Sequence, residues 1–114
     1  MGIREQMRKG TTTVILLNLL AEADAPMYGY EIIQELEARS QGYFQFKEGL
    51  IYPRLHDLER KGYLRAEWKG AEGTRRRKFY TITDEGRRRL EKEMQGWRAF
   101  TRHVNELLGV EAPS

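Results

Sequence analysis

The stretch GLIYPRLHDLERKGYL, residues 49–64, constrains this chain more than any other. Ile51, Leu55 and Leu58 recur at i, i+4 and i+7, which draws one inward stripe along a helix from about Glu48 to Lys61. Pro53 falls within its first two turns, where few amide bonds are lost if the helix starts near Gly49 or Leu50. Lys61-Gly62 stops the helix, and the chain passes straight into YLRAEWK (63–69), where Leu64, Ala66 and Trp68 alternate with charged residues. The polar turn GAEGTRR (70–76) then leads into RKFYTIT (77–83), rich in aromatic and β-branched residues. Two such runs around a Gly-containing connection predict a β-hairpin.

Upstream, TTTVILLNLLAEA (11–23) is apolar on most sides, as a buried helix or strand would be. Its leucines and its AEA tail favour a helix from about Thr11 to Ala23, with an extension back through Arg4 to Arg8 left open. Asp24-Ala25-Pro26 breaks it. Tyr28 to Ser40 is a second amphipathic helix with Ile32, Ile33 and Leu36 on one face. Downstream, Thr83-Asp84 is an N-cap signal for a last helix reaching about Leu108. Leu90, Met94, Trp97, Thr101, Val104 and Leu108 step by 4, 3, 4, 3, 4, a heptad-type seam that Phe100 and Leu107 widen.

With 114 residues, 39% hydrophobic and 32% charged, the chain fits one domain with a modest core, of the kind that dimerisation often completes. The net charge of +3 is mild, but TRRRKF (74–79) and GRRRL (86–90) concentrate it enough to bind a polyanion. There is no cysteine, so no disulfide and no thiolate chemistry. MGIREQMRKG lacks the apolar core of a signal peptide, Gln6 stands where myristoylation needs Ser or Thr, and no run approaches a membrane span. A cytoplasmic protein without a membrane partner is expected. His56 and His103 lie far apart, Ser40 and Ser114 are the only serines, and no Gly-rich phosphate loop follows a strand. No catalytic set, metal site or cofactor is therefore expected.

Helix, turn, helix and a two-stranded ribbon with a basic tip predict an α+β, mainly α, winged helix-turn-helix over residues 1–83. A C-terminal dimerisation helix over 84–108 and a frayed tail over 109–114 complete it. Such a helix fits the major groove, and a wing carrying Arg75, Arg76, Arg77 and Lys78 can follow the backbone or enter the minor groove. With Ile51, Leu55 and Leu58 inward, Gly49, Pro53, His56 and Arg60 face most nearly outward, and Leu50 and Tyr52 flank them. Lys47 and Tyr52 are the expected phosphate contacts, and Leu50, Pro53 and His56 the base-edge side. Tyr28 and Tyr30, at the start of the second helix, either reach phosphate or pack on the first helix, and Tyr30 joins the DNA-binding set, whereas Arg60 lies too near the C-terminal end. Trp68 is expected to pack in or beside the wing. Arg87, Arg88 and Arg89 are expected to pair with nearby acids on a solvated face.

YGYEI (28–32), EGLIYPRLHDLERKGYL (48–64), RRRKFYTIT (75–83) and DEGRRRL (84–90) resemble the PadR family of bacterial transcriptional regulators, in the expected order over roughly residues 10–108. The family pattern GTLYPxLxxLExxG appears here with Leu50 in place of Thr, which removes a hydroxyl able to bond phosphate. The resemblance implies a homodimer joined through the last helix at Leu90, Met94, Trp97, Phe100, Thr101, Val104, Leu107 and Leu108. It also implies repression at a palindromic double-stranded operator and release by a small effector. A single C-terminal helix resembles the short subgroup, some of whose members bind flat aromatic compounds at the dimer centre with a tryptophan from each subunit. On that analogy Met7, Val14, Ile15, Asn18, Met94, Trp97, Arg98 and Thr101 are the candidate lining. The competing readings are a winged helix that binds another protein, for which Leu50 is the only support, and a regulator with no effector.

Overall fold

The structure, a computed structural model, describes residues 3–70 and 75–110, with side chains from Gly10 onward. Seven elements follow one another: α1 (Ile3–Glu22), β1 (Met27–Tyr28), α2 (Gly29–Arg39), α3 (Glu48–Arg60), β2 (Leu64–Lys69), β3 (Arg77–Ile82) and α4 (Asp84–Leu108). This is the expected mainly helical fold with a small antiparallel sheet. The apolar run of α1 makes it the central element, packed against α2, α3, α4 and β3. Leu16, Leu17, Leu19 and Leu20 are buried there with Ile32, Ile33 and Leu36 of α2 and Ile51, Leu55 and Leu58 of α3. Leu64, Tyr80 and Ile82 close the core from the sheet.

Two features differ from expectation. Helix α1 begins at Ile3 rather than Thr11, taking in the stretch left open. The sheet has three strands in the order β1-β3-β2, because Met27 and Tyr28 pair with Tyr80 and Phe79. Tyr28 is thus a strand residue and the N-cap of α2, its N–H donating to Glu31 Oε1 at 3.1 Å. Helix α3 starts at Glu48 as expected, so Pro53 is its sixth residue. The Gly49 carbonyl loses its i+4 donor, but Gly49 is exposed, so water can replace that donor.

Helix α3 ends as expected, with Gly62 at φ +85°, a left-handed conformation that glycine adopts without strain. The start of α4 is tied to that turn. Thr83 Oγ1 accepts from the Gly86 N–H at 3.0 Å and donates to the Gly62 carbonyl at 2.7 Å, while the Thr83 N–H donates to the Tyr63 carbonyl at 3.0 Å. Beyond this anchor, among the described residues, Leu90 is the hydrophobic of α4 that packs against the core. Helix α4 has 25 residues, about 37 Å at the usual rise, in a molecule 58 × 29 × 27 Å across. No described helix is long and apolar enough to cross a membrane.

Candidate nucleic-acid interface and the cleft beside Trp97

The stripe of α3 that buries Ile51, Leu55 and Leu58 turns the opposite face to water. Gly49, Pro53 and His56 are exposed there and Leu50 is half-buried. These residues border one shallow groove with Arg54, Asp57 and Arg60. Arg54 was not singled out in the sequence, because its position beside Pro53 placed it between the inward and outward stripes. Arg60 pairs with Asp57, as does Lys61 at 3.0 Å, and the Asp57 carboxyl is held below its usual range first by the Lys61 hydrogen bond. Lys47 is exposed at the N-cap of α3, where free backbone amides favour an anion.

Tyr52 sits differently from its neighbours. Its ring lies against Gly29 so closely that a Cβ there would overlap it. Burial, then the Glu48 carboxylate, raises the Tyr52 pKa, while the nearby positive charge of Arg75 opposes the shift. Tyr30 is exposed, its phenol accepting from Gln34 Nε2 at 3.1 Å.

The wing splits its cations between two faces. Arg75 and Arg76 are exposed ahead of β3, and Arg77 stacks over the Tyr28 ring at 4.6 Å. Tyr28 meets Phe79 edge-on at 5.4 Å. Lys78 does not join that row. Its register partner is Trp68, on the side of the sheet that packs on α3, and its ammonium bonds Glu59 Oε1 at 2.7 Å. That bond raises the Lys78 pKa above the ordinary lysine range, against a smaller opposing effect of burial. Trp68 is 57% exposed, with Arg76 and Lys78 each 6.0 Å from its ring centre. Of the arginines beyond the wing, Arg88 pairs with Glu85 at 3.5 Å and Arg89 with Glu93 at 2.7 Å. The Arg89 guanidinium also lies over the Tyr63 ring at 5.8 Å, so it is not part of a wholly solvated face.

The seam of α4 divides along its length. Leu90 is half-buried and packs against the core. Met94, Thr101 and Val104 are half-buried, and the Thr101 hydroxyl donates back to the Trp97 and Arg98 carbonyls at 3.0 and 3.1 Å. Phe100, Leu107 and Leu108 stand largely exposed. Trp97 is 38% exposed, its ring 6.1 Å from that of Phe100.

Beside Trp97 opens a cleft of about 660 Å³, lined by Thr11, Thr12, Val14 and Ile15 of α1, by residues 42–47 and by Leu50. Of the eight residues expected to line a ligand site, the cleft gathers Val14, Ile15 and Trp97. Asn18 instead donates to Glu22 at 3.1 Å, Met94, Arg98 and Thr101 lie outside the lining, and the Met7 side chain is outside the described residues. The aromatic stretch at 43–46 was not singled out in the sequence, because YFQFKEG carries no helical or strand period. Phe46 is a core residue, while Tyr43 is 78% exposed.

The family model for the transcriptional regulator PadR-like family matches residues 16–92. A transcriptional regulator of Mycobacterium tuberculosis is 31% identical over 86% of this chain and 89% of its own length. Among solved structures, a PadR-like transcriptional regulator from Bacillus cereus is 31% identical with a TM-score of 0.73, covering 93% of this chain and 99% of that one. A transcriptional regulator from Clostridium thermocellum superposes at TM-score 0.78 with 29% identity, covering 90% and 96%. With its helices, its winged sheet and its long last helix all matched, the chain belongs to the PadR-like family of transcriptional regulators.

Proposed function

We propose that the chain works as a homodimer that represses transcription from a palindromic operator and is released by a small planar aromatic effector at the dimer centre. The observation that carries the dimer is the unpartnered apolar end of α4. Phe100, Leu107 and Leu108 are 62%, 88% and 69% exposed on a helix whose only contribution to the buried residues is Gly86. A second copy laid along α4 removes that surface from water at about 25 cal/mol per Å² of apolar area. Two recognition helices then sit on successive turns of one face of the duplex, about 34 Å apart.

On DNA, Gly49, Leu50, Pro53 and His56 face the base edges and Lys47 meets phosphate at the start of α3. Arg75, Arg76 and Arg77 follow the backbone from the wing, and Tyr52 and Tyr30 flank the contact. Lys78 acts indirectly, since its bond to Glu59 fixes the wing against α3. The effector reading is supported by the cleft where Val14, Ile15 and Trp97 converge. Selection from random duplexes tests the operator reading: enrichment of a symmetric site is expected, and enrichment of no sequence would reject it.

A second reading, a winged helix that binds a protein partner, draws on half-buried, apolar Leu50 at the reading face. Charge reversal at Arg75 to Arg77 separates the two, since it abolishes operator binding and leaves a protein contact through α3 in place.

A further inference from the structure

Both carboxylate oxygens of Asp57 are taken. Arg60 bonds Oδ1 and Lys61 bonds Oδ2 at 3.0 Å, so the acid that borders the outward groove of α3 is already neutralised. Arg54 stands three residues before Asp57 and lines the same groove, half-buried. It belongs to none of the ion pairs among the described residues. Its guanidinium, a planar fork of N–H donors, is therefore left for an acceptor from outside the chain.

The rest of the groove narrows what that acceptor is. Gly49, Leu50 and Pro53 offer no side-chain donor, so hydrogen bonding from the first half of α3 into the groove falls to Arg54 and His56. Arg54 is the seventh residue of the helix. A long helical side chain leans back over the turn before its own Cα, which aims the fork toward the turn of Leu50. The N-terminal turns of a recognition helix are the part that reaches base edges. Phosphates have other partners in the proposed complex, Lys47 at the N-cap and the arginines of the wing.

One base matches the fork. In the major groove guanine presents N7 and O6, two acceptors side by side. Adenine sets a donor beside its N7, thymine has one acceptor next to a methyl group, and cytosine presents a donor.

We propose that Arg54 reads a guanine in each half of the operator, through paired hydrogen bonds to N7 and O6. This rests on the reading of α3 as the recognition helix of a dimer. It deepens that reading by giving one residue, until now without a role, a stated base.

Two variants separate the fork from the rest of the side chain. Arg54→Met keeps the apolar stem, and Arg54→Lys keeps the charge without the planar pair of donors. Selection from random duplexes is run on the full chain and on each variant. Affinities are then measured for the duplex that wild type selects and for the same duplex with the assigned G·C pairs changed to A·T. Wild type is expected to select guanine at one symmetric pair of positions, and Arg54→Met to select the same site with those positions degenerate. The preference of Arg54→Met for the G·C duplex should fall about tenfold or more, and that of Arg54→Lys by less. The slope of log affinity against log salt should stay that of wild type, since no phosphate contact is lost. A ratio of two affinities does not depend on the active fraction of the protein, so a partly unfolded variant still reports.

A symmetric site that Arg54→Met reads as sharply as wild type overturns the proposal and leaves α3 as the recognition helix. Equal weakening on both duplexes, with the salt slope reduced by about 2 across the dimer, makes Arg54 a phosphate contact and also overturns it. Discrimination by Arg54→Lys equal to that of wild type overturns the paired contact. A wild-type chain that enriches no sequence overturns the proposal together with the reading it rests on.

Discussion

At Gly86 the first turn of α4 lies so close to the Tyr63 carbonyl and the Ile82 side chain that a methyl group has no room. The obstacle is backbone, which cannot swing away, and it sits where Thr83 stitches α4 to the end of α3. Gly86→Ala is therefore expected to cost about 2–3 kcal/mol in urea unfolding. Lys78 offers a second test at this scale, because both ends of its bond to Glu59 are shielded. Lys78→Met should lower stability by about 1 kcal/mol, and a double-mutant cycle with Glu59→Gln should return most of that as coupling. Because the folded Lys78 pKa is raised, this contribution is complete below the ordinary lysine range and is lost only as pH climbs through the raised value. Residue by residue, what the sequence made legible were the inward positions. Ile51, Leu55 and Leu58 announced themselves by period, whereas Lys78 sits among three arginines and is turned inward only by its register opposite Trp68.

Among the elements, α3 was readable throughout because a helical period and a glycine stop bracket it. Strand β1 was not: Met27 and Tyr28 form a strand only because β3 offers them a free edge, and two residues carry no alternation to detect. The aromatic wall at 43–46 was hidden for the same reason, since tertiary contacts alone separate buried Phe46 from exposed Tyr43. The join between α1 and α2 rests on Arg39, which bonds Glu22 at 2.7 Å and Glu35 at 3.1 Å. The Arg39 hydrogen bond, ahead of one from Asn18, lowers the Glu22 pKa. A carboxylate whose folded pKa is depressed stabilises the fold above the usual carboxylate range and loses that effect as pH falls through the folded value. The stability difference between wild type and Glu22→Gln should hold steady at neutral pH and shrink below about pH 4, as followed by circular dichroism across an acid series.

For the whole molecule, the unsatisfied end of α4 sets the expected assembly. Replacing Phe100 and Leu107 together by Asp places charge on the surface the second copy is proposed to cover. That pair of changes should yield a folded monomer by sedimentation, with operator affinity reduced at least about a hundredfold as the two half-sites cease to act together. The proposed dimer also sets the electrostatics of binding. Lys47, Arg75, Arg76 and Arg77 bring four unpaired cations per protomer to the proposed DNA face among the ion pairs described. The most direct measurement is the salt dependence of binding to the selected symmetric duplex, for wild type and for Arg75→Ala/Arg76→Ala. A plot of log affinity against log salt with a slope of about −5 to −7, reduced by about 3 to 4 in the double variant across the dimer, is the predicted result. A slope near zero, or one that the wing substitutions leave unchanged, would contradict the assignment of α3 and the wing as the DNA-binding surface.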